Sequence, residues 1–232
     1  MERLIKVVLE EFKKNKVFFK EAGNEELNLV FELRKKIFCE EFGYIKPGQE
    51  SDVYDEIAHN YLAFSGNMAI GTLRVIDDKD LNKLEGKNGI IKKDGRVRFP
   101  MEKEVDLMDY RKPERKIIEY SRLVVSPDYR NKGITLGLFA CGYKYAKENG
   151  ITDGFTIANC EINSRGKNLP EDKKIEIPKI FTKIGFFSIS DPFEYKEFNA
   201  YAVPMRISKE SLNKSYEKIF EELIKDKEII LF

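Results

Sequence analysis

The chain has 232 residues, and its 41 Lys and Arg nearly cancel its 40 Asp and Glu, so no global field recruits nucleic acid or a membrane surface. At 42% hydrophobic residues it has the length for one substantial core, yet no apolar run is long enough to span a bilayer. Three widely separated cysteines and a single histidine lack metal-ligand spacing, which argues against a disulfide framework or a metal site and for reduced thiols in a cytoplasmic protein.

In chain order, residues 1–14 read as a charged amphipathic helix without a cleavable signal pattern. A short strand with Val17, Phe18 and Phe19 follows. From Asn24 a capping residue and two glutamates announce a helix with Leu27, Val30, Phe31, Ile37 and Phe38 as its apolar stripe, ending near Gly43. The stretch FGYIKPGQESDVYDEIAHN is an irregular connection carrying Glu50, Asp52 and Asp55. Two apolar runs around Ser65-Gly66-Asn67 predict a hairpin, 60–64 and 68–76. Residues 77–114 are polar and lysine-rich and read as an insertion.

Ile117 to Val125 alternates and then runs apolar, as a buried strand does, and Ser126-Pro127-Asp128 ends it with turn chemistry. A helix begins at Ile134 and stops at Asn149-Gly150. Between them lies RNKGIT, a basic turn. A strand feeding a glycine-bearing turn at a helix N-terminus gathers unpaired N–H groups and the positive end of the helix dipole, which suits a phosphate; a solvated surface turn is the competing reading. DGFTIAN then reads as a strand, IPKIFTKIGFF as a helix running into a strand, FNAYAVPMRI as a strand that Pro204 confines to an edge or an end, and residues 208–227 as a capped amphipathic helix. This order predicts an α/β (α+β layered) fold, a mixed central sheet flanked by helices in a single domain over 1–232.

The string VSPDYRNKGIT resembles the acyl-CoA-binding segment of the GCN5-related N-acetyltransferase (GNAT) superfamily: Arg or Gln, two residues, Gly, one residue, then Gly or Ala. Arg130 and Gly133 match, while Thr135 stands where a smaller residue is usual. The resemblance implies that Arg130, Asn131, Lys132, Gly133, Ile134 and Thr135 hold the pyrophosphate, and that N–H groups of Leu123, Val124 and Val125 serve the oxyanion and the pantetheine arm.

The phrases LRKKIF, ESDVYD, AIGTLRV and EYSRLVV are similar to those of the acyl-homoserine-lactone autoinducer synthases and the N-acyl amino acid synthases, with the second branch nearer. They carry Arg34, Phe38, Glu50, Asp52, Asp55, Arg74, Glu119 and Arg122 as substrate-site candidates. The tryptophan usual in lactone synthases is missing, since the chain has none. The implied reaction is attack of a neutral amine on a thioester, which needs a proton acceptor, donors for the carbonyl oxygen, and alignment of the reactants.

Glu119, with Ser121 on the same side of a regular strand, is the candidate for orienting or deprotonating the amine; Tyr120 and Arg122 face the other side unless the strand bulges. The carboxylates are read as acceptor-binding. For Arg34, Arg74 and Arg122 a ligand role and a scaffold role both stand open, and Phe99 is either pocket wall or core. Many members place a general-acid tyrosine where this chain has Phe181. His59 reads as structural, and no His or Asp constellation makes Cys160 a nucleophile.

The expected co-substrate is acyl-CoA or the phosphopantetheine thioester of an acyl-carrier protein, with no metal. A carrier would dock on Lys79, Lys83, Lys87, Lys92, Lys93 and Arg96. The expected acceptor is a small-molecule amine, an amino acid above all. The rivals are a signal synthase using S-adenosylmethionine and a non-catalytic acyl-CoA sensor.

Overall fold

The computed structural model describes residues 2–160, 178–198 and 200–231; the part of the single-domain expectation that falls on 161–177 lies outside them. A nine-stranded mixed sheet is the spine. Its strands are β1 (Val17–Glu21), β2 (His59–Ser65), β3 (Met68–Asp77), β6 (Ile117–Val125), β7 (Asp153–Asn159), β8 (Phe187–Ser188), β9 (Phe193–Tyr195), β10 (Ala200–Ser208) and β11 (Ile230–Leu231). They lie in the order β11-β1-β2-β3-β6-β7-β10-β8, with β9 also on β10. Most neighbours run antiparallel, but β6 and β7 are parallel, as the crossover through α3 (Ile134–Asn149) requires.

Side-chain alternation along the strands builds a core on each face. Tyr61 and Ala63 of β2 point to one face, where α1 (Glu2–Lys14), α3, α4 (Lys179–Ile184) and α5 (Lys214–Lys225) pack. Leu62 and Phe64 point to the other, against Val30, Leu33, Ile37 and Phe38. The expected helix after Asn24 winds in three ways: a 3-10 turn, then α2 (Leu27–Arg34), then a seven-residue π-helical run, Lys35–Glu41. Its start falls at Gly23, whose N–H donates to Glu26 Oε2 at 3.1 Å. The buried stripe is Val30, Leu33, Arg34, Ile37 and Phe38, with Leu33 and Arg34 in place of the expected Leu27 and Phe31.

Residues 77–114 hold short 3-10 turns and a small hairpin, β4 (Ile91–Lys93) with β5 (Arg96–Arg98). Leu81, Leu84, Val97, Met101 and Leu107 make a second core on the α2 face, closing over Ile76, Ile117 and Phe155. Pro204 lies inside β10, in the gap between the residues paired with β9 and those paired with β8. A missing N–H there interrupts no ladder on that side, which satisfies the constraint on proline without an edge position.

Candidate active site

β6 and β7 pair only at Ile117↔Asp153, Ile118↔Gly154 and Glu119↔Phe155. Beyond Glu119 the strands part, and a cleft of about 300 Å³ opens between them. The separation begins where β6 bulges: its register against β3 shifts between Thr72 and Arg74, and Arg122 takes the left-handed φ of 54°. The bulge cancels the strict alternation expected of this strand. Tyr120 keeps to the α3 face, but Arg122 turns to the opposite face and donates from Nη2 to Asp52 Oδ2 at 3.0 Å.

One wall of the cleft is charged. Arg74 on β3 donates from Nη1 to Asp52 Oδ1 at 2.7 Å and from Nε to Ser121 Oγ at 3.0 Å, and Nη1 lies 3.3 Å from Asp55 Oδ2. Below it Arg34, fully buried, donates to Asp55 Oδ1 at 2.8 Å and Asn60 Oδ1 at 2.6 Å. The acids are placed by their own turn: Asp52 caps Val53–Glu56 by accepting from the Tyr54 N–H, and Asp55 accepts from the Asp52 N–H at 3.0 Å. Burial pushes Asp52 and Asp55 upward, but the guanidinium groups outweigh it: Arg74 and Arg122 hold Asp52, and Arg74 and Arg34 hold Asp55, below the usual carboxylate range. Burial also lowers Arg34 to about 10, against the pull of Asp55, so Arg34, Asp52 and Asp55 are all ionised at neutral pH.

Glu119 differs. It is 2% exposed yet lines the cleft, and burial raises its pKa to about 7 against the opposing pull of Arg74, the Met101 N–H and Ser121. Met101, from the insertion, donates its N–H to Glu119 Oε2 at 3.0 Å. A carboxyl that gains and loses its proton near neutrality, beside a gap between strands, has the properties of an acid–base group. The other wall is apolar, with Leu123, Phe139, Ala158 and Phe181.

At the end of β6 the chain makes a 3-10 turn and enters α3 through Gly133, whose φ is 80°. Asn131 and Lys132 are exposed, and the first N–H groups of a helix have no partner within it. Asn131 and Lys132 thus present the turn to solvent, while a Cβ on Gly133 would lie 3.3 Å from Phe12 of α1 and Ile134 is buried. Arg130 is tied back, donating to both carboxylate oxygens of Glu41 at 2.6 and 2.7 Å and to the Val125 carbonyl at 3.1 Å. It stacks on Phe42, itself part of the cleft wall, so turn and cleft adjoin.

Of the residues singled out in the sequence, Phe38, Asp52, Arg74, Glu119, Ser121, Arg122 and Leu123 meet in the cleft. Arg34 and Asp55 lie beneath it as support. Glu50 faces elsewhere, its Oε2 accepting from the Gly48 N–H at 2.6 Å, and Phe99 is wholly buried in the insertion core. Val124 packs in the α2 core, Val125 against the α3 core. Phe181 packs edge-on against Phe139 and Phe186. Sequence reasoning missed Pro100 and Met101, Phe42 and Tyr44, and the aromatic pair Tyr195 and Phe198, all of which line the cleft. FGY beside the acidic loop was a visible signal; an amide from the insertion left none.

An N-acyl amino acid synthase FeeM family matches residues 90–208, and a GNAT acetyltransferase domain matches residues 33–140. No curated protein matches in sequence. Among solved structures the fold is similar to FeeM, an N-acyl amino acid synthase from uncultured soil microbes, at 18% identity, 87% of this chain, 97% of that one and a TM-score of 0.61. It is also similar to BjaI, a CoA-dependent acyl-homoserine lactone synthase solved with S-adenosylmethionine and isopentyl-CoA (18% identity, 92% of each chain, TM-score 0.57). A third similar structure is a putative N-acetyltransferase from Lactobacillus plantarum (16%, 83% and 96%, TM-score 0.51). Among the described residues no helix is long and apolar enough to cross a membrane.

Proposed function

This chain belongs to the N-acyl amino acid synthase FeeM family and is an N-acyltransferase acting on a small-molecule amine; from that premise we propose that the acceptor is an amino acid, the donor acyl-CoA, and the proton acceptor Glu119. The donor's pyrophosphate lies on the N–H groups of residues 131–135, and its pantetheine arm runs along the edge of β6 that β7 has left. The acceptor enters from the charged face, where Asp52, Arg74 and Arg122 offer both signs of charge to an amino acid's two ends.

The amine nitrogen bonds to the thioester carbon, its proton passes to Glu119 directly or through a water, and the C–S bond breaks. The departing thiolate takes a proton from solvent or from another group of the cleft, since Phe181 has none to give. The observation that carries this reading is the carboxyl of Glu119, poised near 7 at the point where the strands part.

Acyl-CoA is preferred to an acyl-carrier protein because four of the six basic residues suited to docking a carrier have acids beside them. Lys79 pairs with Asp77, Lys83 with Asp80, Lys87 with Glu56 and Lys92 with Glu85, which leaves little net field for an acidic partner. The test is to incubate the protein with acyl-CoA and the twenty amino acids together, with S-adenosylmethionine in a parallel reaction, and identify acylated products by mass. An N-acyl amino acid supports the reading. A lactone from the parallel reaction alone transfers it to signal synthesis, and thioester binding without any product leaves a sensor.

A further inference from the structure

Arg130 is held on three sides. Its Nε donates to the Val125 carbonyl at 3.1 Å, its guanidinium lies over the Phe42 ring at 5.3 Å, and Nη1 and Nη2 together grip the two carboxylate oxygens of Glu41. The first two contacts fix where the group points. The third takes up the pair of parallel N–H donors with which an arginine recognises a carboxylate or a phosphate. Glu41 therefore presents to Arg130 the same kind of two-oxygen edge that a diphosphate presents.

This pair opens at small cost. The side chains of Arg130 and Glu41 are 36% and 30% exposed, and an ion pair so placed contributes little because water competes for both partners. Glu41 is also the last residue of the π-helical run, which Phe42 closes by donating its N–H to the Ile37 carbonyl at 3.0 Å. Its carboxylate can swing into water by side-chain rotation, with the buried Ile37 and Phe38 of that run left in place.

We propose that Glu41 is a positioning residue that stands in for the donor's diphosphate on Arg130: it holds the guanidinium between turnovers, gives way when acyl-CoA arrives, and by returning helps the spent CoA to leave. The proposal rests on the acyl-CoA reading of this turn. Glu41 weakens the grip on the donor below what Arg130 alone would give, and in exchange it hastens product release, the step that limits many enzymes.

The test measures CoA binding by titration calorimetry and CoA release by stopped-flow displacement, for the native protein, Glu41→Gln, Arg130→Gln and the double variant. The amide keeps the shape of the carboxylate and loses its charge, so Glu41→Gln binds CoA about two- to fivefold tighter, the scale of an exposed ion pair, and the gain appears as slower release. It persists with dephospho-CoA, which keeps the diphosphate and lacks the 3′-phosphate, and it vanishes in the Arg130→Gln background. Main-chain N–H groups of the turn keep Arg130→Gln a measurable binder. A residue that only supports the fold would weaken binding when substituted, and a general field effect would survive the loss of Arg130. Unchanged or weaker CoA binding by Glu41→Gln, a gain equal in both backgrounds, or a gain lost with dephospho-CoA overturns the proposal, while acyl transfer stands on its own product assay. A native protein that binds no CoA overturns the proposal together with acyl-CoA as the donor.

Discussion

Glu119→Gln separates chemistry from architecture, because the amide keeps the shape of the carboxyl and an oxygen for the Met101 N–H but cannot take a proton. Loss of a general base costs roughly 10²- to 10⁴-fold in kcat/KM. In the native enzyme activity rises with pH as the carboxyl ionises near 7; that limb is absent from the variant.

Stability moves the other way. An acid whose pKa rises from 4.5 to about 7 on folding binds a proton more tightly in the native state, so native stability falls as pH rises through that window. At about 1.4 kcal/mol per pH unit the full effect is about 3 kcal/mol. Denaturant unfolding at pH 4 and pH 8 should show the variant gaining on the native protein by up to that amount at the higher pH. A stability difference equal at both pH values, or a variant that keeps the limb near 7, refutes the assignment of Glu119 as a buried base.

Asp55→Asn removes one charge from a buried network with Arg34 and Arg74, at about 3–5 kcal/mol; calorimetry should register a drop in Tm on the order of 10 °C, with exposed Asp128→Asn as the near-silent control. Asp52 and Asp55 ionise below their ordinary range, so the stability they supply is present above about pH 4 and disappears as pH falls further. Acid titration followed by circular dichroism should therefore find Asp55→Asn less sensitive than the native protein below that pH. Gly133→Ala places a side chain at a φ of 80° and 3.3 Å from Phe12, a strain of about 1–2 kcal/mol. Steady-state kinetics should show KM for acyl-CoA raised about tenfold, with kcat within about twofold.

The strand, turn and helix from Ile117 to Asn149 were legible because each is local: alternation, turn chemistry, helical spacing and a glycine stop all lie within a few residues of one another. The hairpin around Ser65-Gly66 was legible for the same reason, and the mixed sheet flanked by helices followed from element order. The bulge at Arg122 entered only as an alternative suggested by resemblance, since nothing in EYSRLVV itself says that β3 will hold the strand out of register; it moves a guanidinium from one face of the sheet to the other. The π run at Lys35–Glu41 is likewise invisible to a pattern that assumes one helical pitch. Residues 77–114 fold by packing short turns onto Tyr54 and Phe155, contacts distant in sequence, and their gift to the cleft is the Met101 amide, a group every residue but proline possesses.

The parting of β6 from β7 leaves each with an edge that no other strand among the described residues occupies. On the proposed function the visitor that fills this place behaves as a removable strand, read by peptide groups rather than by side chains. Recognition of that kind places almost no demand on residue identity. A fold can then keep its shape while few residues agree, as between this chain and FeeM at 18%, and a grip made by peptide groups would ask little of the rest.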